Sequence, residues 1–483
     1  MEPMRRRSVS TPAAAVAGAW LVSATLLLTQ GAGPETLAES GPPRFEAVLA
    51  GHAALPARTL IAAPADAPAA LQTSGKFIGG GARRSDAEPT DGARPPFAGQ
   101  PVQGFSGARP PFAGQPVQGF SGVRSIGDGR FFVLTDNGFG AMENSPDAML
   151  AFHVVRPDWE TGAVAVERTT FFSDPDRVAP FPIAMEGTEA RYLTGADFDV
   201  ESFQMVGEDI VVGDEFGPYV FVADAETGVL SEFHETMADG AVVKSPDHFS
   251  LRLPNPDGAL PAMRARRSRG FEGLAISTDG ATLYPLLEGP LWDAETGDYE
   301  RVGGVEALRV LEMDAATREW TGRHWLYPLA QDGNAIGDFN MIDATRGLVI
   351  ERDSRQGHPD RACREDMGRV ETDGCFERPA RFKRVYMIDM AGVAPGRPVR
   401  KVGYIDLMDI ADPNGVARLG ARADGRFAFP FVTIENVDRV DETRIVVAND
   451  NNFPFSKGRD PDEIDDSEFI LLEVADFLNA RAE

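Results

Sequence analysis

Acidic and amide side chains recur along this 483-residue chain in a two-part pattern that could bind cations. In the first part, a polar residue interrupts an apolar strand, at Ser121, Glu201, Glu272, Asn340 and Glu435. In the second part, an apolar strand ends in polar residues one hairpin later, at Asp136, Asp214, Glu215, Glu288, Glu351, Asp353, Asn449 and Asp450. Carboxylate and amide oxygens are the ligands that calcium prefers. Five such units therefore predict an acidic, cation-binding site, provided that the fold brings them together.

Carboxylates that lie close together cannot all stay ionised without compensation by cations, protons or basic side chains. Three arginines lie near the motifs, where they could form structural ion pairs or bind a phosphate or carboxylate group of a substrate. A purely structural role in turns or between strands is the alternative for each acidic residue. We predict metal ligation by Asp136, Asp214, Glu215, Glu288 and Glu351, catalytic roles for Glu201, Glu272 and Glu435, and substrate binding by Arg124, Arg269 and Arg352.

The elements that must position these residues form an all-β fold. Short apolar strands alternate with turns, helical periodicity is almost absent, and glycine (50) and proline (36) are abundant. Each of the five units continues into an outer hairpin. A two-layer sandwich does not predict such repetition, whereas a β-propeller builds one four-stranded blade from each unit and gathers equivalent positions around a central channel. We predict a β-propeller with five recognisable blade units, and a sixth blade could lie within 236–268.

The N-terminal region is expected to complete the propeller. The fifth unit reaches only its third strand before the chain ends, so the segment near 45–62 could supply the missing outer strand. The sequence GARPPFAGQPVQGFS occurs at 92–106 and again, unchanged, at 107–121. Only one copy can occupy the native position, and the second runs directly into the next strand, so we expect the first to form a loop. We assign an Ala/Pro/Gly-rich segment to 39–106, the propeller to 107–477 and a tail to 478–483.

Residues 1–38 are typical of a secretory signal peptide. A basic start at Arg5 to Arg7 precedes an apolar stretch at 13–29, and small residues follow. The apolar stretch is short for a membrane span and no second one follows, so no membrane span is predicted. In an oxidising compartment the two cysteines, Cys363 and Cys375, are expected to form a disulfide. We therefore predict a periplasmic or secreted protein.

Charge and missing motifs exclude several classes of function. A formal net charge of −27 repels nucleic acid and anionic lipid, so neither is an expected partner. A solvated acidic surface explains the bulk of this charge without a ligand. The chain contains no G-x-S-x-G elbow, no H-E-x-x-H motif and no phosphate-binding G-x-x-x-x-G-K-[ST] loop. We expect a monomer whose partner is a small molecule.

A set of segments together resembles the phytase-like family, also described as "esterase-like activity of phytase". The segments are GQPVQGFSGV (114–123), TDNGFG (135–140), DFDVESF (197–203), GDEFGPYVF (213–221), RGFEGLAIS (269–277), LLEGPL (286–291), ERDSRQG (351–357), and IENVD followed by VANDNNFPFSKGRDPDEID. The resemblance implies a bacterial exported propeller related to calcium-dependent phytases. In those relatives, bound calcium and basic side chains position a phosphate ester for attack by a metal-activated water.

Two hypotheses of function follow. The first is an exported metal-assisted hydrolase of phosphoesters or other esters, with calcium implied by the resemblance and by the acidic motifs. The alternative is a non-catalytic propeller of the cell envelope that binds a ligand or a partner, since many propellers only bind. The sequence leaves open whether the protein is an enzyme.

Overall fold

The five repeated units form five antiparallel β-sheets, blades 1 to 5, in this computed structural model. The structure describes residues 41–78, 110–252, 262–363 and 374–482. From the innermost strand outward, blade 1 consists of Phe120–Gly127, Arg130–Thr135, Ala151–Pro157 and Val164–Phe171. Blade 2 consists of Val200–Val206, Asp209–Asp214, Tyr219–Asp224 and Leu230–Glu235. Blade 3 consists of Phe271–Ile276, Thr282–Leu287, Val305–Asp314 and Trp320–Pro328.

Blades 4 and 5 also take up strands from the N-terminal segment. Blade 4 consists of Ala335–Met341, Arg346–Arg352, Lys383–Asp389 and Arg400–Asp406, and Arg44–Phe45 lies parallel to its outer strand. Blade 5 begins with Thr433–Arg439, Arg444–Asp450 and Ser467–Glu473. Its fourth strand is Val48–Leu55, antiparallel to the third, with Ile410–Ala411 and Arg426–Phe427 beyond it. The N-terminal segment thus completes the blade that the C-terminal sequence leaves one strand short.

Both faces of the blades are covered by apolar contacts. In the second strand of blade 2, Ile210 and Val212 pack against residues of blade 1, while Val211 between them packs against residues of blade 3. Successive strand side chains point to opposite faces, so a continuous apolar run is typical of a strand buried on both sides. Apolar clusters of this kind lie between all neighbouring blades, including blades 5 and 1. The five sheets therefore form a closed ring.

Aspartate residues at the outer hairpins have a local structural role. In blade 2, Asp224 Oδ1 accepts a hydrogen bond from the backbone N–H of Thr227 at 2.7 Å, and Gly228 follows with a φ of 75°. Asp158 and Asp314 bond the backbone in the same way at the corresponding turns of blades 1 and 3. These acidic residues cap turns, so part of the negative charge of the chain has no need of a ligand.

Smaller elements connect the blades. Short strand pairs are Leu60–Ile61 with Gln115–Pro116, Met237–Ala238 with Ala241–Val242, and Trp292–Asp293 with Asp298–Tyr299, while Arg301–Val302 pairs with the start of Val305–Asp314. Helical segments are Ala69–Leu71, Phe249–Arg252, Pro359–Arg361 and Ala475–Asn479. The described part of 236–268 holds one strand pair and one short helix but no blade, so the described residues form five blades and not six. Across the described ranges, no helix is long and apolar enough to cross a membrane.

The predicted disulfide is present. Cys363 and Cys375 are joined, with their Cα atoms 5.0 Å apart, in the segment between the second and third strands of blade 4. The prediction of a signal peptide over 1–38 and the first copy of the duplicated segment, 92–106, fall outside the described residues.

The second copy of the duplicated segment is packed into the propeller from Pro110 onward. Gln115 Nε2 donates to the carbonyl of Leu71 at 2.7 Å, and Gln118 Nε2 donates to the carbonyl of Gly138 at 3.1 Å. Both glutamine side chains are buried, so this copy occupies a specific position and leads directly into blade 1.

Candidate metal centre

A β-bulge lies near the start of every innermost strand. In blade 3, Phe271 pairs with Leu287 and Gly273 pairs with Leu286, so Glu272 has no partner in the ladder. Bulges often lie beside functional sites, where they re-aim a side chain. The equivalent bulge positions are Ser121, Glu201, Glu272, Gly337 and Glu435. Because the innermost strands contact one another in cyclic order, these positions surround one channel.

A second set of equivalent residues lies at the end of each second strand. In blade 2, the Glu215 N–H donates to the carbonyl of Asp199 at 2.8 Å, and in blade 3 the Glu288 N–H donates to the carbonyl of Gly270 at 2.7 Å. In each blade, the bulge position lies two residues beyond that pairing along the innermost strand. The rim positions are Asp136, Glu215, Glu288, Arg352 and Asp450. We call the bulge and rim positions together the acid ring.

Polar contacts connect the acid ring across the blades. Glu435 of blade 5 accepts hydrogen bonds from Ser121 Oγ of blade 1 at 2.9 Å and from Arg352 Nη2 of blade 4 at 2.7 Å. The same Arg352 nitrogen lies 3.8 Å from Glu272 Oε1 and 3.7 Å from Glu288 Oε1, both of blade 3. Polar residues of blades 1, 3, 4 and 5 thus meet around the ion pair between Arg352 and Glu435.

Arg269, which precedes the innermost strand of blade 3, is the more exposed of the two arginines at the site. Its side chain bonds Glu288 and is 28% exposed, whereas the Arg352 side chain is 7% exposed. Burial alone would lower the pKa of either arginine, but the carboxylates beside them, Glu288 and Glu215 for Arg269 and Glu435 for Arg352, raise it above the usual value. Both arginines are therefore charged, and Arg269 is the more exposed of the two.

Carboxyl groups outnumber these two cations. Eight buried carboxyl groups lie at or beside the ring, namely Asp136, Asp199, Glu201, Glu215, Glu272, Glu288, Glu435 and Asp450. Oxygen atoms of Asp199, Glu201 and Glu215 lie within 4.8 Å of one another, and so do oxygen atoms of Glu215, Glu272 and Glu288. Glu215 belongs to both groups and could bridge them. Two guanidinium groups cannot neutralise this set, so further cations or protons are required.

Three of the carboxylates have an oxygen that lacks a hydrogen-bond donor within the described part of the chain. These atoms are the Oε1 atoms of Glu215, Glu272 and Glu288, whose residues are only 3–4% exposed. A buried polar atom without a partner is costly, so its partner is to be sought in a bound group. Clustered carboxylate oxygens suit a hard cation, and calcium takes several such ligands at once. The residues present therefore fit calcium.

Burial also changes the protonation of the cluster. It raises the pKa of Asp199 to about 6 and, with help from neighbouring carboxylates, raises the pKa well above the usual range at Asp136, Glu201, Glu215, Glu272 and Asp450. These carboxyl groups are therefore easier to protonate than ordinary ones when no cation compensates them.

Asp214 and Glu351, two of the predicted metal ligands, are engaged elsewhere. Asp214 accepts hydrogen bonds from two backbone N–H groups at 2.8 Å each, including that of Asp199, and so stabilises the turn after its strand. Glu351 accepts from Lys401 Nζ at 2.7 Å and, with its other oxygen, from Asn334 Nδ2 at 2.7 Å. Neither residue belongs to the two carboxylate groups of the acid ring.

Arg124 lies farther along the channel, in a second polar layer that we call the amide layer. This layer consists of Arg124, Gln204, Asp338, Asn340 and Asp438. Asn340 Oδ1 accepts hydrogen bonds from Arg124 Nη1 at 2.9 Å and from Gln204 Nε2 at 2.7 Å, and Arg124 Nη1 also bonds Asp438 Oδ1 at 2.8 Å. Substrate binding by Arg124 therefore stays a prediction, and the side chain already has two partners.

The expected equivalence of Asn340 with Glu201 and Glu272 is wrong. The bulge position of blade 4 is Gly337, which has no side chain that would mark it in the sequence. Asn340, a polar residue three positions later in the same strand, was therefore taken as the equivalent of the glutamates. Asp199 was missed for a related reason. It lies two residues before Glu201, but the equivalent positions of the other blades are not acidic, so no repeat points to it. Only the D-x-E spacing could have indicated it.

Fold and site together define a five-bladed β-propeller with an acid-lined channel. Residues 115–453 match the phytase-like family, described as "Esterase-like activity of phytase". The match covers more than half of the chain, which therefore belongs to this family.

More distant similarities were found as well. An "Uncharacterized secreted protein" of Arthroderma benhamiae is 24% identical over 167 residues, which cover 30% of this chain and 32% of that relative. Among solved structures, Kuenenia stuttgartiensis hydrazine synthase is 13% identical, with 71% of this chain and 81% of that chain covered and a TM-score of 0.28. The PQQ-bound aldose sugar dehydrogenase of Streptomyces coelicolor is 11% identical, with 74% and 94% covered and a TM-score of 0.30. At these TM-scores neither structure carries an argument about this chain.

Proposed function

We propose that this protein is an exported, metal-assisted hydrolase of phosphoesters or other esters, with calcium as its cation. The observation that carries the proposal is the set of buried, unsatisfied oxygens of Glu215, Glu272 and Glu288 at the centre of a phytase-like propeller. Buried carboxylate oxygens without a hydrogen-bond donor are unfavourable in a merely structural channel, and a divalent cation would compensate them.

The ligands would come from blades 2 and 3. Asp199, Glu201, Glu215, Glu272 and Glu288 form the two groups in which oxygen atoms lie within 4.8 Å of one another. A bound calcium ion would supply a Lewis acid that polarises the ester and stabilises developing negative charge. Of the predicted ligands, Glu215 and Glu288 belong to this set, and Asp136 occupies the equivalent rim position in blade 1.

Arg269 would hold the anionic part of the substrate. It is partly exposed and charged, and its side chain stands beside the ligand Glu288. A guanidinium group can form two parallel hydrogen bonds with a phosphate or carboxylate. An anion bound there would lie next to the carboxylates of blade 3, which is the placement that hydrolysis at this centre needs.

Glu435 is suited to positioning rather than to proton transfer. One oxygen accepts from Arg352 and the other from Ser121, so the carboxylate is fixed between blades 4 and 1. Of the three residues for which catalytic roles were predicted, Glu201 and Glu272 belong to the two ligand groups. We therefore assign the chemistry to the side of the ring formed by blades 2 and 3.

Export is part of the proposal. The disulfide between Cys363 and Cys375 suits an oxidising compartment, and the Arthroderma benhamiae relative is described as secreted. Removal of residues 1–38 as a signal peptide would place the propeller in the periplasm or outside the cell. We expect it to act there as a monomer on a small ester or phosphoester.

The test is metal content and hydrolysis measured on the same purified preparations. We expect bound calcium by elemental analysis, together with hydrolysis of aryl phosphates or acyl esters that chelator abolishes and added calcium restores. Glu215→Gln should lose both calcium and activity, whereas Asp438→Asn, which changes a carboxylate of the amide layer, should keep both. Hydrolysis that is indifferent to chelator, with full calcium in Glu215→Gln, would contradict the proposal. Calcium binding without hydrolysis of any substrate class would favour the alternative of a non-catalytic binding propeller.

A further inference from the structure

Blade 4 differs from the other four blades at both positions of the acid ring. At the bulge position it has Gly337, where a Cβ atom would lie 1.9 Å from the carbonyl oxygen of Ile434, so no side chain fits. At the rim position it has Arg352, where each of the other blades has a carboxylate. Blade 4 therefore contributes a cation to the ring and no acid, although its backbone register is the same.

The position of Arg352 is that of an internal counter-ion. Its Nη2 atom lies 2.7 Å from Glu435 Oε1 and within 3.8 Å of Glu272 Oε1 and Glu288 Oε1. Its side chain is 7% exposed, against 28% for Arg269. Burying a charge is unfavourable unless opposite charges surround it, and here carboxylates of blades 3 and 5 do so.

We infer that Arg352 is a built-in cation which occupies the place of a divalent ion and thereby limits how many calcium ions the acid ring binds. This inference rests on the proposed function, because it concerns the same ring. The Oε1 atoms of Glu272 and Glu288 that face Arg352 have no hydrogen-bond donor among the described residues. Once the guanidinium charge is removed, these two oxygens and Glu435 form a set of hard ligands for a further cation.

The experiment compares calcium binding to the full-length protein with binding to Arg352→Gln, by titration calorimetry and elemental analysis. We expect Arg352→Gln to bind about one more calcium ion per chain, or to bind the parental number at least about tenfold more tightly, because a positive charge within 4 Å of the ligands has been removed. Neither readout depends on hydrolysis.

Two further variants serve as controls. Arg352→Lys keeps the charge and should keep the parental calcium number and affinity. Arg124→Gln removes a cation from the amide layer of the same channel and should leave calcium binding unchanged. The carboxylate of Asp438, which loses the contact with Arg124, still accepts a hydrogen bond from the backbone N–H of Ser125 at 2.8 Å.

Each result decides the inference. Unchanged calcium number and affinity in a folded Arg352→Gln would overturn it, as would a gain of equal size in Arg124→Gln. If Arg352→Gln folds only when calcium is present, calcium replaces the guanidinium group and the inference holds; if Arg352→Gln and Arg352→Met both fail to fold with calcium present, it is overturned. If the parent protein binds no calcium, the proposed function is contradicted but the inference about Arg352 is not. In that case, calcium binding by Arg352→Gln would support the counter-ion role of Arg352.

Discussion

The channel of this propeller contains two polar layers whose buried carboxylates differ in how they are compensated. In the amide layer, the carboxylate of Asp438 accepts from Arg124 with one oxygen and from a backbone N–H with the other, and Asp338 also accepts with both of its oxygens. In the acid ring, carboxylates outnumber arginines and three oxygens have no donor among the described residues. The carboxylates of the amide layer are satisfied by donors within the protein, whereas the acid ring holds the three oxygens at which we propose that calcium binds.

Burial of acidic groups is not by itself a sign of function. Both layers contain buried carboxylates, which come from two blades in the amide layer and from four blades in the acid ring. They differ in whether fixed donors satisfy each oxygen, which decides whether the group is stable without a ligand. The two layers should therefore respond differently to mutation, metal removal and pH.

The largest effect is expected from the carboxylate that links the two ligand groups. Glu215→Gln should lower the hydrolytic rate by at least about a hundredfold together with calcium content, because loss of a ligand or its support costs a metal site that much or more. Steady-state kinetics and elemental analysis check this. Asp438→Asn is the matched change in the amide layer, and an equal loss in that variant would remove the distinction between the layers.

Metal removal should destabilise the protein through the acid ring only. With free calcium at about a hundred times its dissociation constant, binding adds about 2.7 kcal/mol to the free energy of unfolding, and chelator removes this contribution. Denaturant unfolding with calcium and with chelator measures the difference. The difference should disappear in Glu215→Gln and persist in Asp438→Asn. The reverse pattern would show that calcium binds to the amide layer and not to the acid ring.

The amide layer should show its dependence on internal partners instead. Arg124→Gln should lower the free energy of unfolding by about 2 kcal/mol, because Asp438 and Asn340 lose a charged hydrogen-bond donor. The same loss is expected with calcium and with chelator. A loss that added calcium reverses would show that this layer also binds the cation.

The smallest effect concerns pH. Burial raises the pKa of Asp338 to about 8 from an ordinary value of 3.8, despite hydrogen bonds from backbone N–H groups. A carboxyl group with a raised pKa contributes stability at low pH that is lost as the pH rises toward its folded value. Between pH 6 and pH 7, the parent should therefore lose about 1 kcal/mol relative to Asp338→Asn, since one group accounts for at most about 1.4 kcal/mol per pH unit.

Thermal or denaturant unfolding at several pH values measures this difference, and it should be the same with calcium and with chelator. Parallel pH profiles of parent and Asp338→Asn would show that Asp338 is ionised in the folded protein. A calcium-dependent difference would couple the amide layer to the acid ring.

Much of the fold was predictable because its signals are local and repeated. Apolar runs such as Ile210 to Val212, bounded by turns, indicate strands covered on both faces, and five such units indicate a propeller. The closing role of the segment near 45–62 followed from counting strands, and Val48–Leu55 pairs as the fourth strand of blade 5. The disulfide between Cys363 and Cys375 was predicted from the export signal and is present.

The site was predictable in composition and less so in membership. The repeat predicted that Glu201, Glu272, Glu215 and Glu288 lie close together, and they meet in the acid ring. Arg352, which was predicted to bind substrate, lies beside Glu272 and Glu288. Asp214 and Glu351 carry the same chemical groups at nearly the same sequence positions, yet a turn and a lysine engage them. One residue of register separates a ring position from a structural one, and a motif of adjacent acids does not show which of them faces the channel.

Strand patterning, turn residues and motif spacing are properties of the chain, so five repeated units rich in polar residues could be recognised from the sequence alone. The fold then sets which of these residues share a layer. A one-residue bulge in each innermost strand sets which side chain points into the channel, and closure of the ring sets which blades face one another. Arg352 is the clearest case, because both of its sequence neighbours are acidic, while the register of blade 4 and the closure of the ring place its guanidinium group among carboxylates of blades 3 and 5.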